Sequence, residues 1–113
     1  MKTTAKMNKY LALPLIGMLM SVGLAHAAGD AVRGKVKSAT CAACHGPDGN
    51  SAMTTFPRLA GQNADYIIHS LHAYQKGTRK NAMMSPMAAP LTPAEIEDLA
   101  AYFSSQQGLI LKK

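Results

Sequence analysis

Cys41-Ala42-Ala43-Cys44-His45 gathers two thiols and an imidazole into five positions, and its cysteines are the only two in the chain. The Cys-x-x-Cys-His spacing is that of covalent c-type haem attachment. Two thiols three positions apart on a helical turn can both add to the vinyl groups of one haem. The next residue, His45, then projects its imidazole at the iron from the same side. Three other readings fit the cysteines less well. A thioredoxin-like redox pair needs a surrounding βαβ pattern, and the sequence has no convincing period-2 alternation. A structural zinc needs four ligands, for which only His69 and His72 are further candidates. A plain disulfide would close a tiny loop that constrains the unfolded chain little, and it would leave the adjacent His45 without a reason.

An iron held by one histidine either takes a second protein ligand or leaves a site open. Methionine in that place raises the reduction potential and suits electron transfer. Beyond the first segment the chain offers Met53, Met83, Met84 and Met87. A methionine is more often core filler than ligand, but three within five positions of one loop is unusual for filler.

These groups must be carried by something, and the first 27 residues are not part of it. Lys2, Lys6 and Lys9 precede an apolar run from Leu11 to Leu24, and Ala25-His26-Ala27 is a small-x-small cleavage signal. The pattern is that of a secretory signal peptide. A transmembrane anchor would need about 20 apolar residues, and this run is shorter and broken by Pro14 and Gly17. Residues 28–113 are then the working domain, and the formal charge falls from +6 to +3, too little to argue for nucleic acid. Those 86 residues keep only Phe56, Tyr66, Tyr74, Tyr102 and Phe103 as aromatics. So small a domain with so few large side chains often needs a cofactor to complete its interior.

Three helices are predicted, and no strands. The first starts at Asp30 as N-cap, with Val32, Val36 and Ala39 at helical spacing and Gly34 placed for close approach of another helix. The second runs from Asn63 to Lys76 and stops at Gly77. Ile67, Ser70, Leu71 and Tyr74 share one of its faces, with His69 and His72 exposed on the opposite side. The third opens with the capping box of Thr92-Pro93-Ala94-Glu95, carries Ile96, Leu99, Ala100 and Phe103 as its stripe, and ends at Gly108. Gly46–Gly61 and Thr78–Leu91 are left as loops. Two loops of that length in one small domain suit a shell wrapped around a ligand. Lys76, Arg79 and Lys80 form a basic run entering the second loop. It reads either as a solvated face or as a patch that steers an acidic partner.

With these residues in view, the chain from residue 28 onward resembles a class I c-type cytochrome of the small bacterial monohaem kind, and a single domain of the dihaem bacterial cytochromes c. Gly29 to Gly34, Cys41 to Gly46 with Asp48-Gly49-Asn50, Phe56 to Gln62, Met83 to Met87 and Leu99 to Phe103 carry the resemblance. It implies an all-α cytochrome c fold, with three main helices and long loops wrapped around one covalently bound haem. It implies haem c attached through Cys41 and Cys44, iron ligated by His45, and a cofactor-binding loop at Pro57 and Arg58 in which the Pro57 carbonyl accepts the other ring N–H of His45. The family places its axial methionine about eight residues before the last helix, which selects Met84 over Met87 and Met83. It implies that Gly34 meets the last helix near Leu99 and Tyr102. The family's usual aromatic near Lys37 or Ser38 is missing, which implies a looser crossing there.

The function expected is that of a monomeric periplasmic electron carrier rather than an enzyme, with no catalytic residue. Its partners would be redox proteins such as an oxidase, peroxidase or dehydrogenase, with no nucleic acid and no stable membrane anchor. The alternative is a haem enzyme or gas-binding sensor subunit with an open sixth coordination site.

Overall fold

In the computed structural model, Lys2 and residues 28–108 are described. The signal segment proposed for residues 1–27 therefore lies outside the described residues, Lys2 apart. Five helices follow in chain order: α1 (Ala31–Lys37), α2 (Ala39–His45), α3 (Ala64–Lys76), α4 (Met84–Ala88) and α5 (Pro93–Ser105). No strand occurs among the described residues.

The caps expected from the sequence form. Asp30 Oδ1 accepts from the Val32 and Arg33 amides at 2.8 and 3.0 Å, satisfying donors that no helical carbonyl can reach. Asn63 caps α3 through the Tyr66 amide, and Gly77 ends it with φ 72°, a left-handed conformation that costs glycine nothing. Thr92 and Glu95 exchange side-chain and backbone hydrogen bonds in a complete capping box, with Pro93 in the first turn. The end of α5 falls earlier than Gly108. The Gly61 amide donates to the Phe103 carbonyl at 2.9 Å, taking the acceptor that the next helical turn would need, and Gln106 swings into extended backbone.

Two departures from the three-helix expectation have local causes. The first helix breaks at Ser38, whose hydroxyl donates to the Lys35 carbonyl at 2.8 Å, and the chain restarts as the separate helix α2 bearing the Cys-x-x-Cys-His segment. The second loop contains α4. Asn81 Oδ1 accepts from the Met83 and Met84 amides, both at 2.9 Å, and so starts a short helix with Pro86 in its first turn, where proline is tolerated.

α1 and α5 cross closely, and the face that makes the crossing differs from the one the sequence suggests. Val32 and Val36 are each 76% exposed; the buried positions on this side are Gly34 and Ser38. A Cβ on Gly34 would land on the Asp98 carbonyl and 2.8 Å from Tyr102 Cβ, so the contact is with Asp98 and Tyr102 rather than Leu99. The missing aromatic does not loosen the crossing, because a charge pair closes it. Arg33 grips the buried Asp98 with both Nε (2.8 Å) and Nη2 (2.9 Å), and the Asp30 amide donates to the same carboxylate at 2.6 Å. Replacing Gly34 with Ala will destabilise the holoprotein by at least the roughly 1–3 kcal/mol typical of overpacking, since the obstacle is backbone. Urea unfolding reads this, and a loss below about 0.5 kcal/mol would contradict it.

The Arg33 guanidinium, with the Asp30 amide, holds the Asp98 carboxyl below the ordinary carboxylate range. A depressed folded-state pKa contributes stability that is fully present above the unfolded value of about 3.9 and is lost as pH falls through the lower folded value. An Asp98→Asn variant will therefore unfold more easily than wild type at neutral pH, and the deficit will shrink below about pH 4. A deficit constant from neutral pH down to about pH 2 would refute the pairing.

The core sits where α3 and α5 meet: Ile67 packs with Leu99, Ala100, Tyr102 and Phe103, and Leu59, Ile68 and Leu71 lie against them. The Tyr102 hydroxyl donates to the Pro47 carbonyl at 2.7 Å, tying the first loop to α5.

Candidate haem-binding cavity

The core is open on one side. Leu99 and Phe103 of α5, Ile67 and Leu71 of α3 and Leu91 before α5 also line a cavity of about 900 Å³ that includes a part open to solvent. Cofactor sites are lined mainly by apolar groups with a few placed polar ones. This cavity fits that description.

One wall comes from α2 and the first loop. Cys41 lines the cavity, and burial pushes its thiol pKa up. Cys44, one turn on, is half-buried and is not among the lining residues; neither thiol is in a disulfide. His45 is 6% exposed and lines the cavity. Its Nδ1 lies 2.7 Å from the Pro57 carbonyl oxygen. A carbonyl can only accept, so Nδ1 carries a proton, which leaves Nε2 as the ring nitrogen a metal could take. Phe56 stands edge-on to the ring, with centroids 6.4 Å apart.

The first loop is built to hold Pro57 in place. The Gly49 carbonyl accepts from the Leu59 and Ala60 amides at 2.8 and 3.2 Å, with Gly49 itself at φ 82°. A side chain there would be strained and would meet the Ala60 nitrogen at 2.7 Å. Ser51 Oγ donates to the Cys44 carbonyl at 3.2 Å, joining the loop to the motif helix. Arg58 is exposed and lines the cavity edge.

The other wall is α4. Met84, half-buried, and Met87, 44% exposed, both line the cavity. Met83 is exposed at the start of α4 and Met53 is exposed in the first loop; neither lines it. The residue that holds this wall escaped the sequence reading. Gln75 Nε2 donates to the Ala88 carbonyl at 3.0 Å and the Leu91 carbonyl at 2.7 Å, bracketing the end of the methionine segment. A lone glutamine near the end of α3 gives no signal of that in the sequence.

The histidines of α3 lie apart from the cavity. His69 is exposed; His72 is half-buried, with Nδ1 3.1 Å from Gln75 Oε1. No group of three His, Cys, Asp or Glu side chains able to hold a metal ion occurs among the described residues, which leaves the zinc reading without a ligand set. The basic run divides. All three are exposed, but Arg79 also folds back onto α3 and lines the cavity edge. No aspartate or glutamate lines the cavity, but two arginines do. An apolar body with acidic substituents suits that lining, and haem is such a body.

The Cytochrome c family model matches residues 31–107, which spans both walls of the cavity. The chain belongs to the cytochrome c family. The cofactor of this family is covalently attached haem c, and here the attachment segment is Cys41–His45. Cytochrome c4 of Pseudomonas aeruginosa is 45% identical over 101 residues, covering 89% of this chain and 50% of that protein. Cytochrome c-554(548) of Halomonas halodenitrificans is 48% identical over 83 residues, 71% of this chain and 100% of that protein. Among solved structures, reduced recombinant cytochrome c4 from Pseudomonas stutzeri superposes with a TM-score of 0.69 at 44% identity, covering 74% of this chain and 48% of that one. The chain spans about half the length of the cytochrome c4 relatives it matches. The all-α cytochrome c fold expected from the sequence is the fold observed, with five helices where three were expected.

Proposed function

We propose that this cytochrome c domain is a periplasmic carrier of single electrons between redox proteins, in which His45 and Met84 would both hold the haem iron. The observation that carries this reading is the pairing of His45 and Met84 on the two walls of one cavity. The imidazole is fixed on Pro57 at 2.7 Å, and the methionine segment is fixed by Gln75.

Haem c supplies the one-electron couple. Cys41 and Cys44 would hold it covalently. His45 presents Nε2 as a ligand whose orientation and basicity the Pro57 carbonyl sets. Met84 offers its thioether, a soft ligand that favours the ferrous form and raises the potential. Held by both residues, the iron would have no vacancy for a substrate, and the residues named would serve to hold and tune the cofactor. The partners are redox proteins, an oxidase, peroxidase or dehydrogenase among them.

The export reading rests on residues 1–27, whose charge, apolar run and Ala-x-Ala ending support removal after Ala27 and a working domain of residues 28–113. Among the described residues no helix is long and apolar enough to cross a membrane. The domain is proposed to act as a monomer.

Carbon monoxide tests the carrier against the open-site sensor or enzyme. The visible spectrum of the reduced holoprotein will be unchanged by the gas at neutral pH. Rapid formation of a carbon monoxide complex would favour the open-site reading.

A further inference from the structure

The end of the methionine segment is held from α3 by one amide, and that amide is itself held. Ala88 closes α4 and is fully buried, and a turn joins it to Leu91, whose amide donates to the Ala88 carbonyl at 3.1 Å. Gln75 Nε2 reaches the carbonyls at both ends of this turn, at 3.0 Å for Ala88 and 2.7 Å for Leu91. A side-chain amide nitrogen has two hydrogens, so both are committed to the turn.

The amide oxygen, Gln75 Oε1, lies 3.1 Å from His72 Nδ1. An oxygen of this kind only accepts, so Nδ1 carries a proton and donates it. The carrier reading gives His72 no work, yet its ring decides which way the amide faces. Turned over, the amide would set its oxygen against two carbonyl oxygens and its nitrogen against an N–H. Ring, amide and turn therefore form one directional chain from α3 to the main chain at residues 88–91.

α4 has only five residues, so its two ends govern where it lies. Asn81 Oδ1 holds the start through the Met83 and Met84 amides, but Asn81 belongs to the same segment and moves with it. Gln75 belongs to α3, whose Ile67, Leu71 and Tyr74 line the cavity. Among the described residues, no other hydrogen bond ties α4 to another helix.

We propose that Gln75 and His72 are positioning residues for the axial methionine: together they keep α4 seated so that the Met84 thioether stays on the iron. The proposal rests on Met84 being a ligand, as argued above. With the turn released, α4 lifts more often, and each excursion opens the iron to a small external ligand. Cyanide reads this, because it binds the ferric iron only after the thioether has left.

A purely structural role is the competing account: the chain of hydrogen bonds would stabilise the domain as any others do, with no particular hold on the ligand. Gln75→Leu, His72→Leu, His72→Asn and Gly34→Ala holoproteins separate the two. Each is followed by cyanide binding to the ferric protein at neutral pH, with urea unfolding alongside. Gln75→Leu should bind cyanide faster by about tenfold, the scale set by two lost hydrogen bonds. His72→Leu should show a smaller acceleration of about threefold. Asparagine puts an N–H as many bonds from the main chain as histidine Nδ1, so His72→Asn should return the rate close to that of wild type. Gly34→Ala loses stability at the α1–α5 crossing and should keep the wild-type rate.

A rate within about 1.5-fold of wild type in either leucine variant would overturn the proposal. So would equal acceleration in His72→Leu and His72→Asn, or an acceleration in Gly34→Ala as large as that in Gln75→Leu. The two His72 variants keep the test decisive should Gln75→Leu fail to fold. The far-red methionine band of wild type judges the ligand assignment separately: without it that reading fails, and with it an unchanged cyanide rate counts against the positioning residues alone.

Discussion

A Cys41→Ala/Cys44→Ala variant, expressed with the export segment proposed for residues 1–27, will be largely unfolded at 25 °C, with most of its far-ultraviolet helical signal lost. The reason is the shape of the core. Leu99 and Phe103 are almost wholly buried, yet both also line the cavity, as do Ile67 and Leu71. Remove the body that fills it, and these side chains keep neighbours on one side only. Burying a side chain of this size contributes about 1.5–3 kcal/mol, and a domain below about 70–80 residues seldom has more than 3–5 kcal/mol of net stability to lose; the working domain proposed for residues 28–113 stands close to that limit. The caps and the Arg33–Asp98 pair do not compensate, because they fix helix ends and one crossing rather than fill volume. A helical apoprotein with a cooperative thermal transition would show that α1, α3 and α5 carry the fold without the cofactor.

Replacing Met84 with Ala will remove the weak far-red absorption that iron–methionine sulfur gives in the ferric state. It will also lower the midpoint potential by on the order of 100 mV, within the span of about 0.8 V that axial ligands set. Met87→Ala will keep the band. Both methionines line the cavity, so position alone does not separate them. The distinction comes from exposure and from the chain. Met84 is half-buried and its amide donates to Asn81 Oδ1, whereas Met87 is 44% exposed one turn later. Met83 is exposed and does not line the cavity. If the band survives Met84→Ala and disappears in Met87→Ala, the ligand is Met87 and the proposal for Met84 is wrong.

The parts of this architecture that were legible in the sequence are those with a local cause. Thr92 and Glu95 cap a helix whatever lies around them, Gly77 ends one, and five adjacent residues hold the attachment chemistry. The excess of loop over aromatic side chains pointed to a large body in the middle, and the cavity lies there. What was not legible depends on partners far along the chain. Val32 and Val36 have helical spacing, but α5 meets α1 through Gly34 because Asp98 lies opposite it, 64 positions away. Gln75 serves Ala88 and Leu91, and no pattern within α3 marks it. Arg79 looked like one of three surface cations. Only the fold shows it turned toward Tyr66 and Ser70, on the preceding helix. The helix α4 was missed for a different reason: its start is a side-chain cap from Asn81, inside a segment whose prolines and short length argue against a helix.

The central claim is that one covalently held haem sits between His45 and Met84 and cycles by one electron. A potentiometric titration of the purified holoprotein, followed through its visible spectrum, tests it most directly. The account predicts a single reversible one-electron transition, a low-spin ferric spectrum with the far-red methionine band, and loss of that band on reduction. A high-spin ferric spectrum without the band would contradict it, and would place an open coordination site where Met84 is proposed to bind.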